Sequence, residues 1–335
     1  MNRRRPVFAA AALLALTLTA SSSAVTAQDA PLKVFGAYAT EIAEPWDGVI
    51  HAALQAEADA GRIEYSFDDA LGYSGDMELT LREVAEIDQP DIIFGDAFGN
   101  EEAVRRVAAD YPDIAFVFGS EGNPSEPNLS VFDNWIHEPA YLAGMLAGGL
   151  TESDVIGVVG GIAIPEVNRI TNAFIAGAKE VNPEVVAKVS FINDWFDPAA
   201  AKEAAQAQID AGADVLYAER AGVIEAADEN DLIAVGNMSD QMGLAPDNVI
   251  TSVTWNMTPT VEHVLEQVAS QAYVAQDLKD FSMVGKGGAA LAPINTDLVK
   301  EVPAELVDQV LAREADIKSG LYRVVINEAV PAGSE

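Results

Sequence analysis

The sequence predicts an α/β fold of two similar lobes, each a parallel sheet flanked by helices, with a ligand-sized cleft between them. Three observations carry that expectation. Short apolar runs alternate with helical stretches along the chain, the signature of βαβ units. The alternation runs through one set of elements and then begins again. The length of 335 residues suits two domains better than one.

The first set opens with the strand LKVFGAY (32–38), followed by a helix from about Trp46 to Ala60. IEYSFDDA (63–70) precedes a helix over 75–88, and DIIFGD (91–96) precedes one over 101–111. IAFVFGS (114–120) and LSVFDNW (129–135) complete it. In the second set VIGVVGG (155–161), VAKVSFI (186–192), DVLYA (214–218) and LIAVGN (232–237) are strands, separated by helices over 165–181, 198–212 and 221–230. VITSVTW (249–255) is expected to run back toward the first lobe, ahead of a helix over 258–275 and the glycine-rich stretch 283–295. This gives a first lobe of residues 28–134 plus about 257–292, and a second of about 135–256 plus 293–335. Hinges are expected near 134–137, 255–258 and 290–297.

Residues 1–27 read as a secretory signal peptide. Arg3, Arg4 and Arg5 precede an apolar stretch, and Val25-Thr26-Ala27 offers small residues for cleavage. No cysteine occurs anywhere, so neither disulfides nor a lipid-bearing lipobox cysteine is available. A soluble periplasmic monomer is expected. With 53 acidic against 19 basic residues, a formal charge of −34 argues against nucleic acid or an anionic membrane as partner.

Catalytic patterns are missing. Three scattered histidines form no HExxH pair, and no P-loop, GxGxxG or GxSxG opens a helix. No metal site and no cofactor are expected, and an enzyme such as a secreted nucleoside hydrolase lacks the clustered aspartates it needs.

Tryptophan is scarce, so its placement is informative. Trp46, Trp135, Trp195 and Trp255 each fall at the end of an element rather than within an apolar stripe. Strand C-terminal ends converge on the ligand crevice in open α/β sheets, and paired rings there suit a flat heteroaromatic ligand. Asp96 with nearby Phe98, Asn134, Glu219, Asn237 and Asp240 stand at equivalent strand ends, where carboxylate and amide groups suit ring N–H and amino groups. In NDWFDP (193–198), Trp195 is the stacking candidate, Phe196 is expected to pack inward, and Asp197-Pro198 is helix-capping chemistry. Arg169 and Arg220 are the arginines expected near the cleft.

Five stretches, EPAYLAGMLAGGLT (138–151), IGVVGGIAIPEVNRITNAFIAGAKEVNP (156–183), WFDPAAAKEAAQAQIDAGADVLYA (195–218), GVIEAA (222–227) and AVGNMSDQ (234–241), together resemble the basic membrane protein family of ABC-transporter substrate-binding proteins, the purine-nucleoside-receptor-like group. The resemblance runs from about Val34 to Pro293. It implies the type I periplasmic binding fold, a purine nucleoside ligand, delivery to a membrane permease with its ATPase, and base-sandwiching roles for Trp46 and Trp195. Departures from the family pattern are specific. Asn237 stands where an aspartate is usual, Trp255 where a lysine is common, and the loop before GVIEAA is shortened to AERA, bringing Glu219 close. Without that charged ribose clamp the cleft is expected to be smaller, flatter and more apolar. A free purine base such as adenine is therefore favoured over a nucleoside, with a sugar or other small polar solute as a further alternative.

Overall fold

The computed structural model describes residues 30–298 and 300–334; the signal-peptide segment lies outside them. The first sheet contains β1 (Leu32–Ala37), β2 (Ile63–Asp68), β3 (Ile92–Asp96), β4 (Ala115–Gly119) and β5 (Leu129–Phe132). All are parallel, in the order β2-β1-β3-β4-β5. Every residue of β3, β4 and β5 is buried, which is why these strands read as continuous apolar runs without alternation. Between the strands run α1 (Pro45–Asp59), α2 (Asp76–Ile87) and α3 (Glu101–Asp110). Glu44 caps α1, one carboxylate oxygen accepting from the Trp46 and Asp47 amides at 2.8 and 3.3 Å, and Pro45 supplies the first turn.

The second sheet contains β6 (Val155–Gly160), β7 (Val186–Phe191), β8 (Val215–Tyr217), β9 (Ile233–Met238), β10 (Val249–Trp255) and β11 (Ala289–Leu291) in the order β11-β10-β9-β8-β6-β7. Only the β10–β11 pair is antiparallel. Around it lie α4 (His137–Leu150), α5 (Pro165–Val181), α6 (Pro198–Asp210) and α7 (Val223–Glu229). Asp197 caps α6 by accepting from the Ala200 amide at 3.0 Å, with Pro198 in the first turn, as expected.

The path between the sheets corrects two expectations. β10 stays in the second sheet beside β9, and the chain leaves only after Trp255. It then forms α8 (Thr258–Ala269), shorter than anticipated, and lays residues 276–278 along the edge of β5, where Val131 donates to the Gln276 carbonyl and accepts from Leu278. β11 is already back beside β10, with Ala289 opposite Trp255. The last crossing therefore lies within 279–288, ahead of the expected 290–297.

Two helices escape the sequence pattern. α4 is buried on nearly every face, so it has no polar stripe to reveal a helical period. Its glycines let it touch α5 backbone to backbone: a Cβ on Gly144 or Gly148 would strike the Phe174 or Ala178 carbonyl, and one on Gly177 of α5 would strike that of Tyr141. α9 (Ala304–Lys318) packs against α4. The tail beyond it lies along α5, where Asn172 donates to the Asn327 and Ala329 carbonyls at 2.9 and 2.8 Å. Among the described residues no helix is long and apolar enough to cross a membrane.

Candidate functional site

The C-terminal ends of both sheets border a small cavity. Thr40, Glu44, Trp46, Tyr73, Asp96 and Phe98 line it from the loops of the first sheet. Ile164, Glu166, Trp195 and Arg220 line it from the second.

Trp46 enters from the first turn of α1 and is 8% exposed. Its indole is nearly parallel to the Phe132 ring at 5.8 Å, meets Phe98 edge-on at 5.6 Å, and tilts against Trp255 at 5.0 Å. It lies over Gly119, where a Cβ would come within 2.9 Å of its Cζ2. Trp195 stands between β7 and α6, half-buried, with the Arg220 guanidinium 5.5 Å from its ring centroid. A Cβ on Gly161 would lie 3.0 Å from its Cε3. Tyr73 likewise rests on Gly99, where a Cβ would lie 2.6 Å from the ring. Three cleft aromatics thus sit where a glycine leaves room for a ring.

The cavity floor is charged. At the end of β3, Asp96 Oδ1 accepts from the Phe98 amide at 2.7 Å, and burial, then the neighbouring Asp47 and Glu44 carboxylates, hold its carboxyl well above the usual range. Glu166, in the first turn of α5, accepts from Asn134 Nδ2 at 2.6 Å. Burial first, then Glu219 and Asp133, push it up to about 8. Asp47, bonded through Oδ2 to the Thr40 amide and hydroxyl, is raised to about 7 by burial and by Glu44. Arg220 is the cation of this floor. Glu219 grips it along one edge, through Nε at 2.9 Å and Nη2 at 2.6 Å, and also accepts from the Gly161 amide at 2.9 Å.

Of the residues singled out by sequence, Trp46, Asp96, Phe98, Trp195 and Arg220 border the cavity. Others stand behind its walls. Asn237 Oδ1 accepts from the Tyr217 hydroxyl at 2.7 Å, and its amide donates to the Glu219 carbonyl at 3.3 Å. Trp255 is buried beneath Trp46, with its indole N–H donating to Ser282 Oγ at 2.9 Å. Asn134 supports Glu166 from below. Trp135 follows the end of β5, its indole N–H on Asp133 Oδ2 at 3.2 Å and its ring 5.2 Å from the Arg169 guanidinium. Asp240 is exposed in a separate depression with Ile42 and Leu244, accepting from the Met242 amide at 3.1 Å.

Phe196 does not pack inward; it is 43% exposed. β7 ends at Phe191, and Asn193 turns the chain with φ +58°, so strand alternation no longer sets which way residue 196 points. Nor is the cleft simply more apolar. Its walls are aromatic, but Glu44, Asp96, Glu166 and Arg220 make its floor polar. Glu44, Glu166, Thr40 and Tyr73 were missed. Glu44 alone carried a local signal, as a cap before Pro45.

Two lobes meeting at such a cavity define a solute-binding protein, and residues 43–310 match the family described as Bmp, ABC transporter substrate-binding protein PnrA-like. The chain belongs to that family. TsgA13 of Haloferax volcanii, named as an ABC transporter glucose-binding protein, is 34% identical over 76% of this chain; the match spans 63% of that protein's length. The purine-binding protein BAB2_0673 of Brucella abortus is 28% identical over 79% of this chain and 73% of its own. Among solved structures, an ABC transporter solute-binding protein from Aeropyrum pernix K1 superposes with a TM-score of 0.76 at 17% identity, covering 89% of this chain and 94% of that one. One from Conexibacter woesei superposes at 0.71 with 23% identity, over 88% and 99%. Both show the two-lobed solute-binding fold.

Proposed function

We propose that this protein is the periplasmic receptor of an ABC importer, capturing a free purine base and presenting it to a membrane permease with its ATPase. The observation that carries the reading is the pair of indoles, Trp46 and Trp195, bordering one small cavity from different sheets above a floor of carboxylates. Indole faces suit a flat heterocycle, and stacking is worth ~1–3 kcal/mol per base. Asp96 and Glu166 suit its ring N–H and exocyclic amino groups. Asn237 and Trp255 are engaged behind the wall, which leaves no ribose clamp at those positions and favours base over nucleoside. The name of the Brucella relative supports the purine class. Closure on the ligand is the output, and a ligand favours it only through tighter contact with the closed form.

A hexose is the second reading. Acids and an arginine beside aromatic rings also suit sugar hydroxyls, and TsgA13 carries a glucose-binding name. Calorimetric titration with adenine, adenosine and glucose separates the readings. Adenine is expected to bind at least about tenfold tighter than adenosine, a difference of ~1.4 kcal/mol. Tighter adenosine binding overturns the base assignment, and binding of glucose alone overturns the purine class.

A further inference from the structure

The floor of the cavity contains a contact that joins the two sides of the cleft. Glu219 holds Arg220 by Nε and Nη2, which fixes the guanidinium plane and leaves Nη1 facing outward. Nη1 donates to Glu44 Oε1 at 3.1 Å, across the cleft, and to the Trp195 carbonyl at 2.7 Å. Glu44 uses its other oxygen, Oε2, to cap α1 through the amides of Trp46 and Asp47. One hydrogen-bonded path therefore runs from the backbone of one cleft tryptophan, through Glu44 and Arg220, to the backbone of the other. Arg220 is 6% exposed and Glu44 3%, so little water competes for the contact.

We propose that Arg220 and Glu44 form a clasp between the lobes: they are positioning residues that favour the closed arrangement and set the rate at which ligand leaves. Opening the cleft parts Nη1 from Glu44 and leaves the two halves otherwise intact, because Glu219 keeps Arg220 in place and the cap keeps Trp46 in place. The clasp belongs to the chain rather than to any one ligand, so it acts for a base and a sugar alike.

Glu44→Gln separates the two uses of the residue. An amide oxygen still caps α1, but the charge that draws Arg220 is gone. The chain has no cysteine, so Glu83→Cys on α2 and Glu203→Cys on α6, both exposed, allow spin labels to report the interlobe distance without ligand. The parent protein is expected to populate the short distance. Glu44→Gln is expected to lower the short-to-long ratio about tenfold at unchanged melting temperature, as befits one charge-assisted bond. Arg220→Gln is expected to lower the ratio as well, and the double variant with Glu44→Gln to fall no further than Arg220→Gln alone. Lys202→Gln, which breaks a surface pair with Glu229, is the control and leaves the ratio unchanged. A wholly long distribution in the parent, an unchanged ratio in Glu44→Gln, or additive effects in the double variant overturns the clasp. Should Arg220→Gln fail to fold, Glu44→Gln decides alone. With adenine as the probe, Glu44→Gln is expected to speed dissociation about tenfold and leave association alone. Failure of the parent to bind adenine overturns the ligand reading, while the distances still judge the clasp.

Discussion

Replacing Gly119 by alanine tests whether the seat of Trp46 sets the cavity wall. Gly119 ends β4, between Asp96 of β3 and Phe132 of β5, so the backbone has parallel neighbours on both sides and little freedom to retreat. An alanine Cβ would lie 2.9 Å from Trp46 Cζ2, 3.0 Å from Cζ3 and nearer still to Cη2. Carbon atoms settle at ~3.5–4.0 Å, so the indole has to move by roughly an ångström or more. Phe132 and Trp255 back it on the protein side, and the free direction is the cavity. Overpacking of this kind costs ~1–3 kcal/mol, a fall in melting temperature of about 2–12 °C at ~2–4 °C per kcal/mol. Ligand affinity falls as well, since the displaced ring takes up ligand space and loses a stack worth ~1–3 kcal/mol. Thermal melts and calorimetry with adenine read the two effects separately. Gly161→Ala is the internal comparison: its Cβ would meet Trp195 at a tighter-than-usual but yielding 3.0 Å, and its effect on melting should be smaller. A Gly119→Ala protein melting within about 1 °C of the parent, well under one kcal/mol, with the same affinity, would refute this account of the wall.

Two further outcomes follow from the cleft. Glu166 ionises near pH 8 in the folded protein against an ordinary 4.5, so between those values the folded state holds a proton the unfolded chain has lost. Stability contributed by the protonated form is present at acidic pH and declines as pH rises through this window. Glu166→Gln should leave stability at pH 5 nearly unchanged and raise it at pH 9 by roughly 1–3 kcal/mol, seen as a shallower pH profile in urea melts. Asp47, near 7, keeps part of the slope in the variant. Trp195→Ala and Trp255→Ala should separate binding from stability. The first should cost ~1–3 kcal/mol of adenine affinity with little change in melting; the second, deleting a buried ring bonded to Ser282, should cost ~3–5 kcal/mol of stability.

How far the sequence disclosed this molecule depended on whether the physics was local. Strand–helix alternation is local, and β1 to β10 emerged from it. Asp197-Pro198 before α6 is local too, and the cap stands where it was read. α4 stayed hidden because a helix buried on all sides shows no amphipathic period. The tryptophans were legible because the residue is scarce and element ends are visible, yet only the fold separates Trp46 and Trp195, at the cavity, from Trp255, beneath it. The charged floor was the least legible part. Asp96 and Arg220 were in view, but Glu44 and Glu166 come from separate segments, the cap of α1 and the first turn of α5, and in a chain with 53 acidic residues neither stands out from a solvated surface.

The glycine-mediated contact between α4 and α5 has a mechanical consequence. α4 begins directly after Asp133–Ile136, where the chain first crosses between sheets, and α5 begins with the turn that holds Glu166. Helices seated backbone to backbone have no side-chain cushion to shear, so this pair turns as one stiff arm. Any swing of the second lobe has to be taken up where the chain crosses between the sheets, in the run ahead of α4, after Trp255 and within 279–288, and Glu166 travels with that arm. Rotation at these crossings therefore changes the spacing between Glu166 and Asp96, so the pairing of the two acids across the cavity depends on the lobe angle.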